Sequence, residues 1–389
     1  MKYKRGGVSM FVVVIATALV AMMVASFIRI VIRDNQNASS QDLSQSAYDS
    51  AQAGVEDGKR ALVNYKTTCA DITKANECAK METELAKDLS QQSCRVLAES
   101  FGIGNPAQTE TTIQTNSGDS KLLQAYTCVK MSTITSNFEG ELSADSSKLI
   151  QLKGTGNIRY LRISWHTLAD NNNQTAINLP NSNSNDLLNS FENKENWNSN
   201  KYPSVLRAQV VMPDGSYDYT SSSAEDVSSS RTAFLLPSKN ATVDNSLQAT
   251  LINVQDQSSR YDYSPNSLSA VKCEQNLNAK TYACSAVLRL DREVAGDSGA
   301  FLRLNSQYGN ANYSVEMLSE QKTVVNFNGV QPLIDSTGRA NTQFRRVQAR
   351  VEMGQTGFPV PDYAVATDGK FCKVMTIRDS TEESTIGCK

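Results

Sequence analysis

The stretch "KRGGVSMFVVVIATALVAMMVASFIRIVIRDN", residues 4–35, decides what the rest of the chain can be. From Val8 to Ile28 it runs 21 residues without a charge. At about 1.5 Å per residue a helix of that length covers roughly 31 Å, the thickness of a bilayer's hydrocarbon core. A secretory h-region is about 7–15 residues long and ends at a small-residue cleavage site. The one clear A-x-A, Ala16-Thr17-Ala18, falls in mid-run, where cleavage would leave half of the apolar segment on the product. Lys2, Lys4 and Arg5 precede the run, while Arg29 and Arg33 follow it, partly offset by Asp34. That bias places the N-terminus in the cytoplasm and the bulk of the chain outside, as in a signal anchor.

Helical spacing continues beyond the apolar run. Between Asp34 and Tyr65 there is no proline, and Leu43, Ala47, Ala51, Val55, Leu62 and Tyr65 recur at helical intervals, so the helix is expected to leave the membrane unbroken. Beside that stripe lies a row of small residues at strict i,i+4 spacing: Ser46, Ser50, Gly54 and Gly58. Such rows let another backbone approach closely. A glycine in an exposed helix costs about 1 kcal/mol relative to alanine, so two of them in one row mark a packing surface. Two partners fit it: the chain's own sheet, or a neighbouring subunit.

The basic leader ending in Gly6-Gly7, followed at once by the apolar run, resembles the processing site of type IV prepilins. The peptidase of that family cuts after glycine and leaves the transmembrane helix on the product. Here the resemblance implies cleavage between Gly7 and Val8, with Val8 as the first mature residue. "SAYDSAQAGVEDGKRAL" (46–62) is similar to the corresponding region of PilX/GspK-type minor pilins, through Tyr48, Ala51, Ala53, Gly54, Glu56 and Leu62. The family often has Glu where this chain has Gln52. Most pilins also carry Glu at mature position five, which here is Val12; a cut after Gly6 would put Phe11 there. That Glu is thought to neutralise a neighbour's N-terminal amine, a buried charge that is costly when unpaired. PilX/GspK-type proteins commonly lack it. The resemblance covers residues 5–65, with a looser likeness at "FRRVQARVEM" and "FPVPDYAVAT" (344–353 and 358–367). It implies a non-catalytic subunit acting in pilus assembly, tip presentation or adhesion. The implied partners are other pilin subunits, the assembly machinery, the prepilin peptidase and the membrane. The alternative is a stand-alone signal-anchored surface protein, an adhesin or an enzyme.

The expected organisation is α+β: a leader (1–7), a transmembrane part of the long helix (8–28), its exported part (29–66), a helical segment (67–110) and a β-rich, disulfide-bonded head (111–389). With 389 residues and 40% hydrophobic content, the chain can bury one large core or two smaller ones. Losing the leader's three cations takes the formal charge from −2 to −5. Neither value provides the basic face that nucleic acid requires, so no nucleic-acid partner is expected.

Eight cysteines stand at Cys69, Cys78, Cys94, Cys128, Cys273, Cys284, Cys372 and Cys388. There is no C-x-x-C, and a single histidine makes a poor ligand supply for zinc, so no metal is expected. An even count in an exported chain implies up to four disulfides among 105 possible connectivities. Cys273 and Cys284 can staple adjacent strands, and the first four cysteines can pair among themselves. Cys372–Cys388 would close a C-terminal loop similar to the bridged C-terminal region of many pilins.

Residues 71–100 alternate Lys and Glu around Ile72, Cys78, Met81, Leu85 and Leu89, which predicts a second helix. From about 120 the pattern becomes β: candidate strands lie at 148–154, 158–165, 204–212, 283–290, 300–306, 313–318 and 344–353. In the last of these Val347, Ala349, Val351 and Met353 face one way, and Arg346, Gln348, Arg350 and Glu352 the other. Pro213-Asp214-Gly215 and Gly309-Asn310 supply turns. Together these predict a sandwich or curved sheet against the N-terminal helix. The Asn/Ser-rich tract at 170–200 is expected to be a surface loop; Asp170, Asn172 and Gln174 alternate as calcium ligands do, but the loop glycine and distal Glu are missing.

Catalysis has one sequence candidate. Gly296-Asp297-Ser298-Gly299 spells the nucleophile motif of chymotrypsin-like proteases, whose only possible base here is His166 in "SWHTLAD". Ala300-Phe301 replaces the family's Gly-Pro, and no Ala-His-Cys surrounds His166. The competing reading is a turn between two strands, with His166 a partly exposed strand-end residue. No Walker A, GxGxxG, H-E-x-x-H or G-x-S-x-G occurs, and neither a catalytic set nor a cofactor is expected.

Overall fold

The computed structural model describes residues 7–113, 123–180, 193–212, 230–256, 268–277 and 281–353. The fold is α+β. One helix, α1 (Gly7–Ala70), runs unbroken for 64 residues, about 96 Å at the usual rise. The expected second helix is instead three pieces: a 3₁₀ turn at Ile72–Lys74, α2 (Ala75–Leu85) and α3 (Val96–Phe101). Asp71 caps the 3₁₀ turn by accepting from the Thr73 N–H, and Gly102 at φ +67 closes α3 in the left-handed conformation.

The strands are β1 (Thr111–Thr112), β2 (Ala125–Thr135), β3 (Phe138–Leu142), β4 (Ser147–Gln151) and β5 (Ile158–Trp165), then, after α4 (Lys194–Ser199), β6 (Val205–Val211) and β7 (Ser230–Ser238). There follow β8 (Thr250–Asn253), β9 (Gln255–Asp256), β10 (Leu268–Lys272), β11 (Cys284–Val294), β12 (Phe301–Gln307), β13 (Ala311–Leu318), β14 (Val324–Val325), β15 (Phe327–Ala340) and β16 (Gln343–Arg350). Each strand expected from the alternation is present to within a few residues. The Pro213–Gly215 turn and the segment 358–367 lie outside the described residues. The helix, however, is not seated on the sandwich.

Two six-stranded sheets, β10-β7-β6-β12-β4 with β9 on β7, and β14-β13-β5-β11-β8 with β3 on β13, form the sandwich. Alternating residues from both sheets share one core: Leu161, Ile163 and Trp165 of β5 and Ala286 and Leu288 of β11 meet Leu206, Ala208 and Val210 of β6 and Leu302 and Leu304 of β12. A separate four-stranded sheet, β1-β2-β15-β16, carries α1. The strand β15 belongs to both cores. Phe327 at its start is in the sandwich core, whereas Ile334 further along packs under α1. Between them Gly329, at φ +71, sits in a register shift that redirects the strand. Side chains stitch the two regions together: Arg350 of β16 donates to the Asn137 carbonyl and side-chain oxygens at 2.8 Å, and Gln331 of β15 pairs with the Glu139 backbone.

The tract at 170–200 is more structured than a surface loop in its described parts. Asn193 caps α4 by accepting from the Asn196 N–H, and Trp197 is buried with Val205 and Leu236, its indole N–H donating to the Pro203 carbonyl at 2.9 Å. Trp197 stands among asparagines without periodicity, so its anchoring was not legible. Three disulfides are formed, Cys69–Cys78, Cys94–Cys128 and Cys273–Cys284, while Cys372 and Cys388 lie outside the described residues.

Candidate functional site

The residues singled out in the sequence divide α1 into two halves with opposite surroundings. From Met10 to Ile32 every side chain is exposed, including sixteen large apolar ones. Gly7 and Val8 lie at the first helical positions, and Val12 sits among exposed apolar neighbours. No carboxylate occurs between Met10 and Ile32, so nothing along that length pairs with a neighbour's amine. At about 1.5–3 kcal/mol for each large apolar side chain buried, leaving this surface in water would cost tens of kcal/mol. The segment is long and apolar enough to cross a membrane.

The other half is seated. Ala47, Ser50, Ala51, Gly54, Val55, Gly58, Ala61 and Leu62 are buried, so the apolar stripe and the small row form one face. That face lies on the chain's own sheet. A Cβ on Gly54 would meet Val129 of β2 at 2.9 Å, and one on Gly58 would meet Ile334 of β15 at 2.8 Å. The strand supplies its own small residue in return: a Cβ on Gly338 would run into the Ala47 and Ala51 backbone. Thus Gly338, Ser336 and Ile334 lie under Ser50, Gly54 and Gly58 in turn. The match is geometric, because four helical residues rise about 6.0 Å and two strand residues about 6.6–6.8 Å. Of the two partners the row could have had, the chain's own sheet occupies it, and the row lends no support to a subunit contact. Ser46 is half-buried at its upper end, its carbonyl accepting from the Ser50 hydroxyl at 2.8 Å.

Sequence reasoning missed the strand partner because "FNGVQPLIDSTGRA" carries two glycines, a proline and an aspartate within 14 residues. The available signal was Ile334-x-Ser336-x-Gly338, a period-2 row tapering to nothing, the complement of a helix whose small residues are spaced by four. A polar contact between β2 and α1 adds to the seat. Tyr126 of β2 donates to the Asp57 carboxylate at 2.9 Å; burial, with Asp57 adding, pushes its phenol up to about 12. On the far face of the sheet Asp335 is buried, where burial alone would raise its carboxyl. Hydrogen bonds from Arg346 and Gln348 hold it below the usual carboxylate range instead. Within residues 46–62, Tyr48 and Glu56 remain exposed, Glu56 paired with Lys59 at 2.7 Å.

The protease constellation is not assembled. Gly296–Gly299 form the turn between β11 and β12, beside the Ile158 end of β5, since Val294 pairs with Ile158. His166 follows Trp165 at the other end of that strand, about 26 Å from Ile158 at 3.3 Å per residue. His166 is buried rather than partly exposed, at φ +69, and burial lowers its pKa against the opposing pull of Asp170. Asp170 serves as an internal cap: its carboxylate accepts from the Thr167 N–H at 2.7 Å and the Asn312 side chain at 2.8 Å, which occupies the oxygens a calcium ion would use. Cys69, Cys78 and Glu82 come together, but both sulfurs are in a disulfide, so no thiolate is left to ligate a metal.

An apolar helix half, a helix half locked to a sheet and a disulfide-bonded β-rich body define the class: an α+β protein with one described helix able to span a membrane. Comparison with family models, curated proteins and solved structures gives no match.

Proposed function

We propose that the chain is a minor pilin-like subunit of the PilX/GspK type, acting without catalysis in assembly, tip presentation or adhesion of a type IV pilus or related filament. The observation that carries this reading is the asymmetry of α1. Its first half is apolar on every side and unpartnered among the described residues, while its second half is fastened to β2, β15 and β16. Such a helix is held in a bilayer until exchanged for other apolar helices, and the rigid seat transmits that movement to the head. A prepilin-type leader cut between Gly7 and Val8 fits the same picture, because it frees the tip of the helix without removing it.

Val12 argues for a subunit at a filament end. With no carboxylate at mature position five, α1 offers nothing to the amine of a neighbour stacked beyond it. The same fact, together with the small row being taken by the chain's own sheet, favours the second reading, a stand-alone signal-anchored surface protein with its N-terminus in the cytoplasm. Immunogold labelling of sheared surface filaments separates the two. A subunit at the filament end gives sparse label at the tips; uniform decoration of shafts contradicts the end position, and label confined to membranes of cells that make filaments contradicts the subunit.

A further inference from the structure

We infer that the head carries a binding site for a neutral saccharide on the outer face of the β14-β13-β5-β11-β8 sheet, an inference that stands on its own geometry and does not require the pilin reading. The site is a cavity of about 380 Å³. Small-molecule pockets begin at about 300 Å³, so its size class is one or two sugar rings.

A disulfide builds the floor. Cys273 and Cys284 are bonded and face the sandwich core. By strand alternation Lys272 and Glu274 on one side, and Ala283 and Ser285 on the other, turn outward, and all four line the cavity. The Glu274 N–H donates to the Ala283 carbonyl at 2.8 Å, so the two floor segments are held at fixed separation by one covalent and one hydrogen-bonded link. Ser285 is joined to Ser164 of the neighbouring strand, hydroxyl to hydroxyl at 3.1 Å, which extends the polar floor across the sheet.

The wall is the segment 243–249, folded across the sheet's outer face. Leu247 packs with Tyr160, Val287 and Leu318, and the Asp244 N–H closes the segment on the Ala249 carbonyl at 2.9 Å. Asp244 also accepts from the Ser246 N–H at 2.8 Å. This bracing leaves Asn245 and Gln248 lining the cavity, Gln248 in a left-handed conformation at φ +50. Tyr282, half-buried, completes the lining.

The chemistry of the lining selects the ligand. Each amide brings a donor and an acceptor side by side, the pair that adjacent sugar hydroxyls need, and the serine hydroxyl and the phenol can each act either way. The Tyr282 ring offers an apolar surface to the C–H side of a pyranose. One cation and one carboxylate are present, and the Lys272 ammonium already donates to the Lys239 carbonyl, so no concentrated charge is available for a phosphate or polyanion. Apolar lining beyond the tyrosine is Val243 and two alanines, too little for a hydrophobic ligand.

The test is saturation-transfer NMR on the full chain in a sugar-free detergent. The probes are glucose, galactose, N-acetylglucosamine, N-acetylgalactosamine, lactose and chitobiose at millimolar concentration. Transfer to at least one is expected, with affinity at least tenfold weaker in Asn245→Ala/Gln248→Gly. Glycine at 248 suits the positive φ, so this variant keeps the fold, which circular dichroism verifies. Absence of transfer from every probe overturns the inference, and so does equal transfer in the folded variant.

Discussion

Gly338 is the position where a single carbon should separate helix from sheet. A Cβ there would lie 2.7 Å from the Ser50 carbonyl carbon and closer still to the Ala51 nitrogen and Ala47 oxygen, all backbone atoms. Ordinary carbon contacts need about 3.5–4.0 Å, so Gly338→Ala requires α1 to rise by about 1 Å. Overpacking of this kind costs about 1–3 kcal/mol, and the upper end applies because no side chain can rotate out of the way. Lifting the helix also loosens Val55, Ala61 and Leu62 from Val129, Met131 and Ile334. A loss of about 3 kcal/mol corresponds to about a hundredfold in an opening equilibrium. Hydrogen-exchange mass spectrometry of the full chain in detergent should then show amides of residues 47–62 exchanging about a hundredfold faster, with the sandwich strands unchanged. Gly58→Ala is the internal control. It meets only the Ile334 side chain, which can shift, and gains about 1 kcal/mol of helix propensity, so its net effect should stay within about 1 kcal/mol. Unchanged protection in Gly338→Ala would refute the seat as described.

Named contacts set three further outcomes. The Asp335 carboxyl is held low by Arg346 and Gln348, so its contribution is fully present above about pH 3.9 and is lost as pH falls through the folded value. Asp335→Asn should cost about 1–3 kcal/mol at neutral pH and flatten the acid limb of a urea-midpoint profile. His166 works in the opposite region: because burial lowers its pKa, the unfolded chain takes the proton first, and stability should fall as pH drops below about 6.5. Tryptophan fluorescence, with Trp165 next in sequence, should show a lower urea midpoint at pH 5.5 than at 7.5, a difference that shrinks in His166→Asn. Among the disulfides, removing Cys94–Cys128, 34 residues apart, should cost about 4 kcal/mol, and removing Cys273–Cys284, 11 apart, about 3 kcal/mol by loop entropy. Calorimetry of the double-alanine variants ranks the two; the reverse order would mean that the buried staple acts through packing rather than through the unfolded chain.

The parts legible in the sequence were those with a strong period. The apolar run and its helical continuation gave α1 within a few residues, and strict alternation at 344–353 gave both β16 and the face that meets the helix. Paired cysteines near strand ends gave Cys273–Cys284. What was not legible depended on partners distant in sequence. The small row in α1 announced a close approach without saying to what, because Gly338 lies 280 residues beyond Gly58 and its strand carries glycine, proline and aspartate. Residues 71–100 kept the composition of one helix yet broke into pieces, since the Cys69–Cys78 and Cys94–Cys128 bridges impose turns that periodicity does not register. His166 looked like a strand-end surface residue because burial at a left-handed turn depends on the loop around Asp170 and Asn312 folding back over it. The saccharide cavity has no linear motif, since its lining comes from three separate segments.

The central claim concerns the Gly7–Val8 bond, and intact-mass and N-terminal peptide mass spectrometry of the protein from the cells that make it tests it directly. Prepilin-type processing predicts a chain that starts at Val8 and keeps the apolar helix. A chain that still carries Met1, or one that starts near Ser26 with that helix removed, contradicts it.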